Sequence, residues 1–529
     1  MTTDIPDSWV YCTLDDLQTR ISNGANVTQY EERVGYPISR IETIWNETID
    51  FGRVKYIKEA DSEFVAKYAL SEGDILLSHI NSDFHLGKTA LYKNNPPVLI
   101  HGVNLLLIRL AQSVSSKFIN YQFKFLRTKG AFISAAQRAV NQSSINQKKL
   151  KSFSFVLPPI AEQHRIVAKI EELFSELEKG VESLRTAREQ LKIYRQSLLK
   201  AAFEGKLTEE WREENADTLQ PAEVFLRQIR QEREDRHHKQ IKAWEGEVGK
   251  WQAGGKQGKK PAKPKPLKKI DSPSPSELEA LGALPLTWCW AKIGDVSSVG
   301  TGVTPLKSRA EFYEKGDIPW VTSGALNDNY VWEASGYVTK AALAETNLRL
   351  YPKHTLLMAM YGEGKTRGKC SELMLPATTN QAVAAMVQSG IEEETRPFLK
   401  WFMIKNYADI RRKSSGGVQP NLNLGIVENT LFPLCSIAEM REIDAELQRQ
   451  LSVIEENERD IDAQLDKSNA LRQSILKKAF RGQLVKQDPD DEPASALLAR
   501  IAKQKEEAMV LAKKAKAAAK KEPKRKAKQ

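Results

Sequence analysis

The sequence has few cysteines and no long hydrophobic run, and each absence narrows the class of protein. Four cysteines occur in 529 residues, far apart and never as a Cys-x-x-Cys pair, so a disulfide framework or a structural zinc site is disfavoured. No apolar run approaches the ~20 residues that a membrane span needs. The opening MTTDIPDSW is neither basic nor apolar, unlike a signal peptide. These features predict a soluble cytoplasmic protein with no membrane partner.

Charge of one sign is in excess. The 79 Lys and Arg residues outnumber the 68 Asp and Glu residues, which gives a formal net charge of +11, and such a balance favours polyanions such as nucleic acids. Part of the excess lies in two segments, residues 250–270 and 511–528. The second segment includes KEPKRKAK, which fits either a nuclear localisation signal or a solvated basic tail.

The most informative feature that is present is an internal repeat with an offset of 277 residues. RQSLLKAAFEGKL at 195–207 and RQSILKKAFRGQL at 472–484 share nine of thirteen positions. The offset holds without a gap back to Gln142 and Gln419. The chain is therefore expected to perform its function twice.

Composition and turn signals indicate a Trp-marked mixed region and then a long helix in each half. Short β-rich runs at 74–77, 103–108 and 355–358 and helical stretches at 117–128 and 397–413 predict two compact mixed α/β or α+β domains. The predicted parts are two domains at 1–157 and 284–434, two long helices at 158–205 and 435–482, a charged helical and Lys/Pro-rich linker at 206–283, and a short helix with a basic Lys/Ala tail at 483–529.

The long helices are predicted from prolines at their start, a glycine at their end and heptad spacing between. In the first helix one register contains Ile170, Leu177, Leu184, Leu191 and Leu198, and the other contains Ile166, Leu173, Ala187, Tyr194 and Ala201. In the second helix the seam is predicted to contain Ile443, Leu447, Ile454, Ile461, Leu471 and Ile475, with polar Asn457 and Ser468 among them.

A helix with one apolar stripe needs a partner, and about 44 residues make a rod of roughly 65 Å. The partner is either a second copy of the chain or the other helix of the same chain. The linker has a helical stretch at 222–247 and a segment at 253–276 that cannot build a core. Its length allows the second half to turn back and the two helices to pair antiparallel.

No catalytic motif is convincing. Residues 359–366, AMYGEGKT, fit a relaxed P-loop. A P-loop must be followed by a helix, whose N-terminus binds the phosphate, and the residues that follow here do not have a helical pattern. A Gly/Lys-rich DNA-contact loop is the alternative, supported by a similar LGKT at 86–89. His79, His85 and His101 match no metal motif. Neither a PD…ExK nuclease pair nor an NPPY-type methyltransferase motif is present.

The two helix boundaries and the segments before them carry a family resemblance. Each half has a Q-x-x-[IL]-N segment, then an IAEQHRI or IAEMREI helix start, then an RQS[IL]LK-x-AF-x-G-x-L helix end. Over nearly the whole chain this combination resembles the specificity subunit of type I restriction–modification enzymes. The second copy departs at Met440 and Arg441, where the first has Gln163 and His164.

The resemblance implies an α+β protein with two target recognition domains, separated by two long antiparallel coiled-coil helices and related by an internal pseudo-two-fold repeat. Each domain would read one half of a split double-stranded DNA target, and the helices would set the spacing.

Expected partners are two methyltransferase (M) subunits, which bind S-adenosylmethionine and methylate adenine, and two restriction (R) helicase-nuclease subunits, which use ATP and Mg. The chain itself is expected to be non-catalytic and to bind no cofactor or metal. The resemblance implies a cytoplasmic, nucleoid-associated protein of a bacterium or archaeon.

The candidate contact residues have side chains that suit bases or phosphates. Arg and Lys pair with guanine, Asn and Gln pair with adenine, and Lys, Arg, Ser and Thr hold phosphates. In the first half the candidates are Asn23, Asn26, Arg40, Asn81, Lys88, Gln142 and Ser143. In the second they are Thr304, Lys307, Arg309, Tyr361, Lys365, Arg367, Lys369, Gln419 and Asn421.

Two other functions remain open from the residues alone. The first is a structural adaptor, in which a coiled-coil scaffold carries protein-binding end domains. The second is an enzyme that uses the loop at 359–366. For any single candidate loop, an ordinary turn is the alternative interpretation.

Overall fold

The computed structural model describes residues 5–139, 142–258, 260–279, 281–362, 365–413 and 421–521. Its α-helices are, in chain order, α1 (Leu14–Leu17), α2 (Ser62–Tyr68), α3 (Ser116–Thr128), α4 (Ala131–Ala135), α5 (Gln147–Lys151), α6 (Ile160–Phe203), α7 (Glu209–Glu214), α8 (Ala222–Ala253), α9 (Pro275–Glu279), α10 (Ile293–Val296), α11 (Lys340–Glu345), α12 (Arg396–Lys405), α13 (Tyr407–Lys413), α14 (Leu424–Glu428), α15 (Ile437–Ala479) and α16 (Ala494–Lys521).

The strands are short and fall in the two mixed regions that the sequence predicts. They are β1 (Val10–Thr13), β2 (Gln18–Asn23), β3 (Tyr36–Ile38), β4 (Ile44–Trp45), β5 (Thr48–Ile49), β6 (Lys55–Ile57), β7 (Ile75–Leu77), β8 (Ile80–Asn81), β9 (Thr89–Leu91), β10 (Leu106–Leu110), β11 (Gln137–Ala139), β12 (Gln142–Ser144), β13 (Ser154–Leu157), β14 (Cys289–Lys292), β15 (Ser298–Thr301), β16 (Ile318–Val321), β17 (Tyr330–Val331), β18 (Gly336–Val338), β19 (Leu356–Ala359), β20 (Cys370–Leu373), β21 (Thr378–Thr379), β22 (Val383–Val387) and β23 (Leu431–Leu434).

The chain divides into two compact units that do not follow the sequence serially. The first unit comprises Met1–Thr186 and Ile461–Gln529, and the second comprises Ala187–Asp460. In the first unit the start of α6 shares a core with the end of α15, and in the second unit the end of α6 shares a core with the start of α15. Within each unit the helices therefore run antiparallel, as predicted.

The first unit is built on a four-stranded antiparallel sheet with strand order β2-β10-β7-β9. Ile75, Leu76 and Leu77 of β7 are all buried, since both faces of this sheet are covered. A three-stranded sheet, β11-β12-β8, adjoins it, because Ile80 and Asn81 follow β7 closely. The predicted strand at 103–108 is displaced along the chain: β10 spans Leu106–Leu110 and begins after a turn.

The second unit has a five-stranded sheet with strand order β15-β22-β19-β20-β17 and a three-stranded sheet, β18-β16-β21. β17 pairs parallel with β20, and β16 pairs parallel with β21. The predicted helix at 397–413 is divided at Asn406, where α12 ends and α13 begins after one residue. Asn is a poor residue for a helix interior because its amide competes for the backbone.

The predicted helix seam is correct near the domains and wrong in places between them. In α15 the predicted polar seam residue Asn457 is exposed, and Leu471 is 44% exposed. In α6 Tyr194 is 51% exposed. A straight helix drifts about 20° per heptad from a 3.5-residue repeat. Over a helix of this length, residues assigned to the seam by a fixed heptad therefore rotate away from the buried face. The predicted seam residue Ile475 does pack against the core of the first unit, and Leu476, which was not predicted, is buried there.

The structure shows a second repeated element, the pair of equivalent helices α8 and α16, which the sequence does not predict to be a repeat. α8 buries Ala222, Phe225 and Ile229 in the second unit, and α16 buries Leu497 and Ile501 in the first. The tail at 483–529 was expected to hold a short helix, but α16 runs from Ala494 to Lys521, 28 residues. The weak identity between the two helices conceals the repeat, because few of their residues agree.

Candidate nucleic-acid interface

One edge of the main sheet in the first unit gathers the candidate loops. Leu106, at the start of β10, pairs with Asn23 at the end of β2 and with Leu77 at the end of β7. Leu77 also pairs with Thr89, the first residue of β9. The segments that leave β2 and β7 and those that enter β9 and β10 therefore lie at the same edge.

The small sheet brings three further predicted residues to this edge. Ser143 of β12 pairs with Asn81 of β8. The side-chain amide of Gln147, at the start of α5, donates to Asn23 Oδ1 at 3.3 Å, which connects the segment after β12 to the end of β2. Gln142 is exposed. Asn23 and Gln142 thus present exposed side-chain amides near this edge, and amides are the pairing groups that adenine requires.

Ser143 is placed differently from its prediction as a contact residue. It is 4% exposed, and its hydroxyl donates to Asp83. Its observed interaction therefore orders the loop that follows β8. Asn81 supports the same loop, because its Oδ1 accepts from the backbone amide of Ser82 at 2.8 Å.

Lys88 lies at the end of this loop, directly before β9. Its Nζ is 5.1 Å from the ring centroid of Phe84. Burial, followed by the charge of Arg127, lowers the pKa of Lys88. Phe84 itself is 73% exposed. An exposed aromatic side chain beside a cation was not among the predicted contacts, although the sequence FHLGK showed both residue types.

Two further predicted contact residues of the first unit are Asn26 and Arg40, and Asn26 follows a segment whose backbone lies against that of His101. Ala25 N donates to His101 O at 2.7 Å, and a Cβ on Gly24 would lie 2.2 Å from the same oxygen. Asn26 is exposed. Arg40 Nη2 is 3.4 Å from Glu42 Oε1, so part of its charge is already compensated.

The second unit has the equivalent edge. Val383, at the start of β22, pairs with Ala359 at the end of β19, and Ala384 pairs with Thr301 at the end of β15. Leu422 N donates to Met360 O at 3.1 Å. The segments after β15 and β19 and the one containing Asn421 therefore lie at this edge. Gln419 lies outside the described residues.

The loop between β19 and β20 holds four predicted residues and is fixed through its backbone. Lys365 O accepts from Tyr407 Oη at 2.7 Å, and Arg367 O accepts from Arg411 Nη1 at 2.7 Å. Lys369 Nζ is 3.2 Å from Asn327 Oδ1. The Lys365 side chain is exposed. These bonds fix the loop from behind while leaving that cation toward solvent.

Tyr361, at the start of the same loop, is 37% exposed. The loop leads into strand β20 rather than into a helix. It therefore lacks the helix N-terminus that a P-loop uses to bind phosphate, and the nucleotide-binding interpretation is wrong on this point.

The structural counterpart of Gly87-Lys88 in the second unit is Gly368-Lys369, whereas the sequence suggested the Gly-Lys pair that contains Lys365. Gly87 N donates to Ser78 O, and Gly368 N donates to Ala359 O, both at 2.8 Å. Both glycines have positive φ, +75° and +86°. Lys88 therefore corresponds to Lys369, since each follows the glycine that closes the hairpin. The similarity of LGKT to GEGKT is misleading in this respect.

The remaining predicted residues follow β15. Thr304 Oγ1 donates to Gln381 Oε1 at 2.7 Å, and Lys307 is exposed. Arg309 is paired twice: its Nε is 2.6 Å from Glu311 Oε1 and its Nη1 is 2.9 Å from Glu345 Oε2. Two carboxylates offset its single charge, which makes Arg309 a poor phosphate contact.

A buried tryptophan–glutamate pair anchors each domain to its long helix. Trp9 Nε1 donates to Glu162 Oε2 at 2.9 Å, and Trp288 Nε1 donates to Glu439 Oε2 at 2.8 Å. Burial raises the pKa of Glu162. Glu439 also receives a hydrogen bond from Arg212 Nη1 at 2.7 Å. This explains why Trp-marked starts and I-A-E helix starts repeat together in the sequence.

The departure at Met440 also has a structural meaning. In the first copy, Gln163 Oε1 accepts from Ser115 N at 3.0 Å and its Nε2 donates to Pro158 O at 2.8 Å. In the second copy Met440 is 1% exposed and packs in the apolar core. A polar connection to α3 in one unit is thus replaced by hydrophobic packing in the other.

No group of three His, Cys, Asp or Glu side chains in the described part of the chain could hold a metal ion. None of the helices within the described ranges combines the length and apolar character that a bilayer span requires.

Two divergent α/β domains with polar loops at one sheet edge, anchored alike to a shared pair of long helices, define a two-surface recognition protein. A family model described as the type I restriction modification DNA specificity domain matches residues 6–184 and 285–467. The chain belongs to this family.

The relatives that the chain matches are named as specificity subunits of type I restriction enzymes. The putative MjaX specificity subunit of Methanocaldococcus jannaschii is 36% identical over 219 residues, covering 39% of this chain and 52% of the relative. The EcoKI specificity subunit of Escherichia coli K12 is 28% identical over 224 residues, covering 41% and 48%. The chain spans about half the length of these relatives.

Solved structures share the fold. A chain from a structure on complex assembly and conformational transition of the type I R-M system has a TM-score of 0.62 at 16% identity, covering 91% of this chain and 99% of that one. The HsdS subunit from Thermoanaerobacter tengcongensis has a TM-score of 0.50 at 15% identity, covering 91% and 99%.

Proposed function

We propose that this chain is the DNA sequence-specificity subunit of a type I restriction–modification complex. Each unit reads one half of an asymmetric, bipartite double-stranded DNA target. Two M subunits, which bind S-adenosylmethionine, complete an adenine-N6 methyltransferase. Two R subunits, which use ATP and Mg, add an endonuclease for host defence against foreign DNA. The chain contributes recognition, is non-catalytic and binds no cofactor itself, and the complex acts in the cytoplasm.

One observation carries this proposal: the two units place loops of different sequence at equivalent edges of their main sheets. Both units present loops at the corresponding sheet edge, each closed by an equivalent Gly-Lys pair, Gly87-Lys88 and Gly368-Lys369. The side chains around these pairs differ, whereas the Trp–Glu anchors repeat. A scaffold that repeats within the chain while its two edges differ fits a protein that reads two unlike half-sites.

The side chains at the two edges favour different bases. The first edge has exposed amides, Asn23 and Gln142, and such groups pair with adenine. The second edge is rich in cations, with Lys365 and Lys369, and such groups pair with guanine or hold phosphates. The first half-site is therefore proposed to depend on adenine and the second on guanine.

Apolar side chains left exposed on the long helices support a helical protein partner. In the second unit Ile193 of α6 is 64% exposed and Val453 of α15 is 51% exposed. In the first unit Leu471 of α15 is 44% exposed. Two paired helices leave such residues uncovered, and helices of the M subunits are proposed to cover them.

Methylome sequencing of the host tests the proposal directly. The expected result is a split methyl-adenine motif that disappears when the gene is deleted and returns when it is restored. A methylome that is identical with and without the gene contradicts the proposal. Retention of DNA fragments only when an M subunit is present also separates it from the adaptor alternative.

The spacing function of the helices has its own test. Removing one seven-residue repeat from each of α6 and α15, at paired positions, is expected to shorten the unread spacer and leave both half-sites unchanged. A four-residue deletion in one helix serves as a comparison, because it misaligns the seam. An unaltered spacer after either deletion contradicts the ruler.

A further inference from the structure

The turn that follows β8 in the first unit holds an exposed aromatic ring in a fixed position. Phe84 is 73% exposed, at a residue type that usually packs inside proteins. Its carbonyl oxygen accepts from Arg127 Nη2 at 2.7 Å. The next amide, His85 N, donates to Ser82 O at 2.9 Å. The backbone on either side of the ring is therefore held by hydrogen bonds.

The base of the same turn is packed just as closely. Leu86 is 1% exposed. A Cβ on Gly87 would lie 2.4 Å from the ring of Phe132, so the loop lies directly on the core. Asp83, on the other side of Phe84, accepts from Ser143. A rigid backbone presents the phenyl ring outward at low entropic cost for a binding partner.

One cation lies beside this ring, and a second, Arg138, pairs with the neighbouring Asp83. Lys88 Nζ lies 5.1 Å from its centroid. Arg138 Nη2 lies 3.8 Å from Asp83 Oδ2, and the Arg138 side chain is 67% exposed. Aromatic rings among cations are the arrangement that stacks nucleobases while holding the phosphate backbone. A protein partner would instead favour a wider apolar patch.

The apolar surface near the ring is small. Among the described residues that line the hollow beside Phe84, Ile133 is the other exposed large hydrophobic side chain, at 39%. The rest of that hollow is lined by the buried side chains of Leu86 and Phe132 and by polar groups. This composition favours a nucleic acid over a protein surface.

The position is also the one at which the two loops diverge. Counted from the equivalent lysines, Phe84 stands four residues before Lys88, and Lys365 stands four residues before Lys369. The two units thus have the same hairpin closure but an aromatic ring at this site in one and a cation in the other. A position that differs within a shared frame suits a residue that determines specificity.

We propose that Phe84 is a specificity-determining residue that contacts the apolar surface of a base in the first DNA half-site. The contact is either stacking on an unstacked base step or packing against a thymine methyl group, and both use the same apolar ring. The inference rests on the proposed function, since it needs the first unit to read DNA.

The test uses the complete complex with its methyltransferase subunits and the duplex motif that methylome sequencing supplies. Phe84→Ala is expected to weaken binding to the target duplex roughly tenfold to hundredfold and to leave binding to unrelated duplex nearly unchanged. Phe84→Leu should retain part of the affinity. Tyr11→Ala is the matched control, because Tyr11 is 53% exposed but lies on the β1–β13 ribbon, and no change is expected there.

A duplex series identifies the contacted base. Abasic sites are placed one at a time through the first half-site, and at the contacted position Phe84→Ala should cause no further loss. Deoxyuridine in place of thymine should reproduce the loss if the ring packs on the methyl group, and should have no effect if the ring stacks. Either pattern supports the proposal.

Three results would overturn the inference. One is a Phe84→Ala complex that binds the target within twofold of the unsubstituted complex, although the latter prefers its target. Another is loss of methyltransferase subunit from the Phe84→Ala complex, which would make Phe84 a protein contact. The third is an unsubstituted complex without target preference, which refutes the proposed function and the inference together.

Discussion

Individual side chains of the same type have different environments at the two recognition edges. Lys365 is exposed on a loop whose backbone is held from behind. Arg309 is engaged by Glu311 and Glu345, so a phosphate would have to compete with two carboxylates. Sequence reasoning treated these two cations alike because it identifies residue types, whereas pairing depends on neighbours 36 residues away along the chain, as Glu345 is.

Lys365→Ala is expected to weaken DNA binding severalfold and to reduce the salt slope, because one phosphate contact contributes about 0.9 to the dependence of log K on log salt. Arg309→Ala is the matched control and should change both quantities little. The measurement is fluorescence anisotropy over a salt series. Equal slopes for Lys365→Ala and the unsubstituted protein would remove this lysine from the contact surface.

Two buried histidines make the first edge sensitive to acid. Burial lowers the pKa of His101 to about 4, and it lowers the pKa of His79 to about 4 as well. Both support the edge through their backbones: Ala25 N donates to His101 O, and Ile145 N donates to His79 O. The sequence predicted no metal site for these histidines, and the structure places His79 and His101 in buried positions.

Acid should therefore destabilise the first unit. The unfolded chain binds protons at these histidines below pH ~6.5, whereas the folded unit binds them only near pH 4. Stability is complete above pH ~6.5 and falls as pH drops toward 4, by about 3 kcal/mol for His101 alone. Thermal unfolding of His101→Asn and of the unsubstituted protein, followed from pH 7 to 4.5, measures this. Identical slopes in the two proteins would exclude His101 as the cause.

At the scale of elements, the hairpin closed by a left-handed glycine is the common structural unit of both edges. Gly87 has φ of +75°, and any Cβ there would collide with the ring of Phe132 at 2.4 Å. Gly130 has a similar φ, +73°, but no atom lies within 4 Å of its Cβ position. A substitution at Gly130 therefore reports backbone strain alone, whereas the same substitution at Gly87 reports strain together with a steric clash.

Gly87→Ala is expected to destabilise the first unit by about 3 kcal/mol, since strain and overpacking add. Gly130→Ala should cost about 1 kcal/mol, from strain alone. Urea denaturation of both variants gives the comparison. A loss for Gly87→Ala no larger than that for Gly130→Ala would show that the loop yields to the added methyl group.

At the scale of the whole molecule, the N-terminal domain is completed by residues from the far end of the chain. Leu497 and Ile501 of α16 are buried in the core that contains Trp9, and Ala494 N donates to Ser8 O at 2.9 Å. The same arrangement holds in the second unit, where Ala222 N donates to Thr287 O at 2.9 Å. The domain of the first unit is thus closed by α16, which comes after α15, and the domain of the second unit is closed by α8, which comes after α6 and α7.

Leu497→Ala is expected to destabilise the first unit by about 3 kcal/mol, as large-to-small changes in a core do. Met509→Ala, on the same helix but 59% exposed, should change stability by less than about 0.5 kcal/mol. Limited proteolysis with mass spectrometry identifies the unit that opens. Preferential cleavage in the second unit after Leu497→Ala would contradict the assignment of α16 to the first core.

Much of this architecture is visible in the sequence, and the reason differs between elements. The long helices are predictable because Pro158-Pro159 and Gly205 act locally, and α6 indeed spans Ile160–Phe203. The structural equivalence of α8 and α16 was not predicted, because few of their residues agree. The contact residues remain predictions; what the structure adds is which of them share an edge and which are already paired.

The sequence by itself determined the doubling, the long helices and the family, because repeated motifs, caps and heptads are local or periodic signals. The tertiary structure alone decided three other matters: Lys88 corresponds to Lys369 rather than Lys365, Phe84 is exposed, and each unit combines distant parts of the chain. Those depend on hydrogen bonds and packing between strands far apart in sequence, and burial and register exist only once these strands have come together.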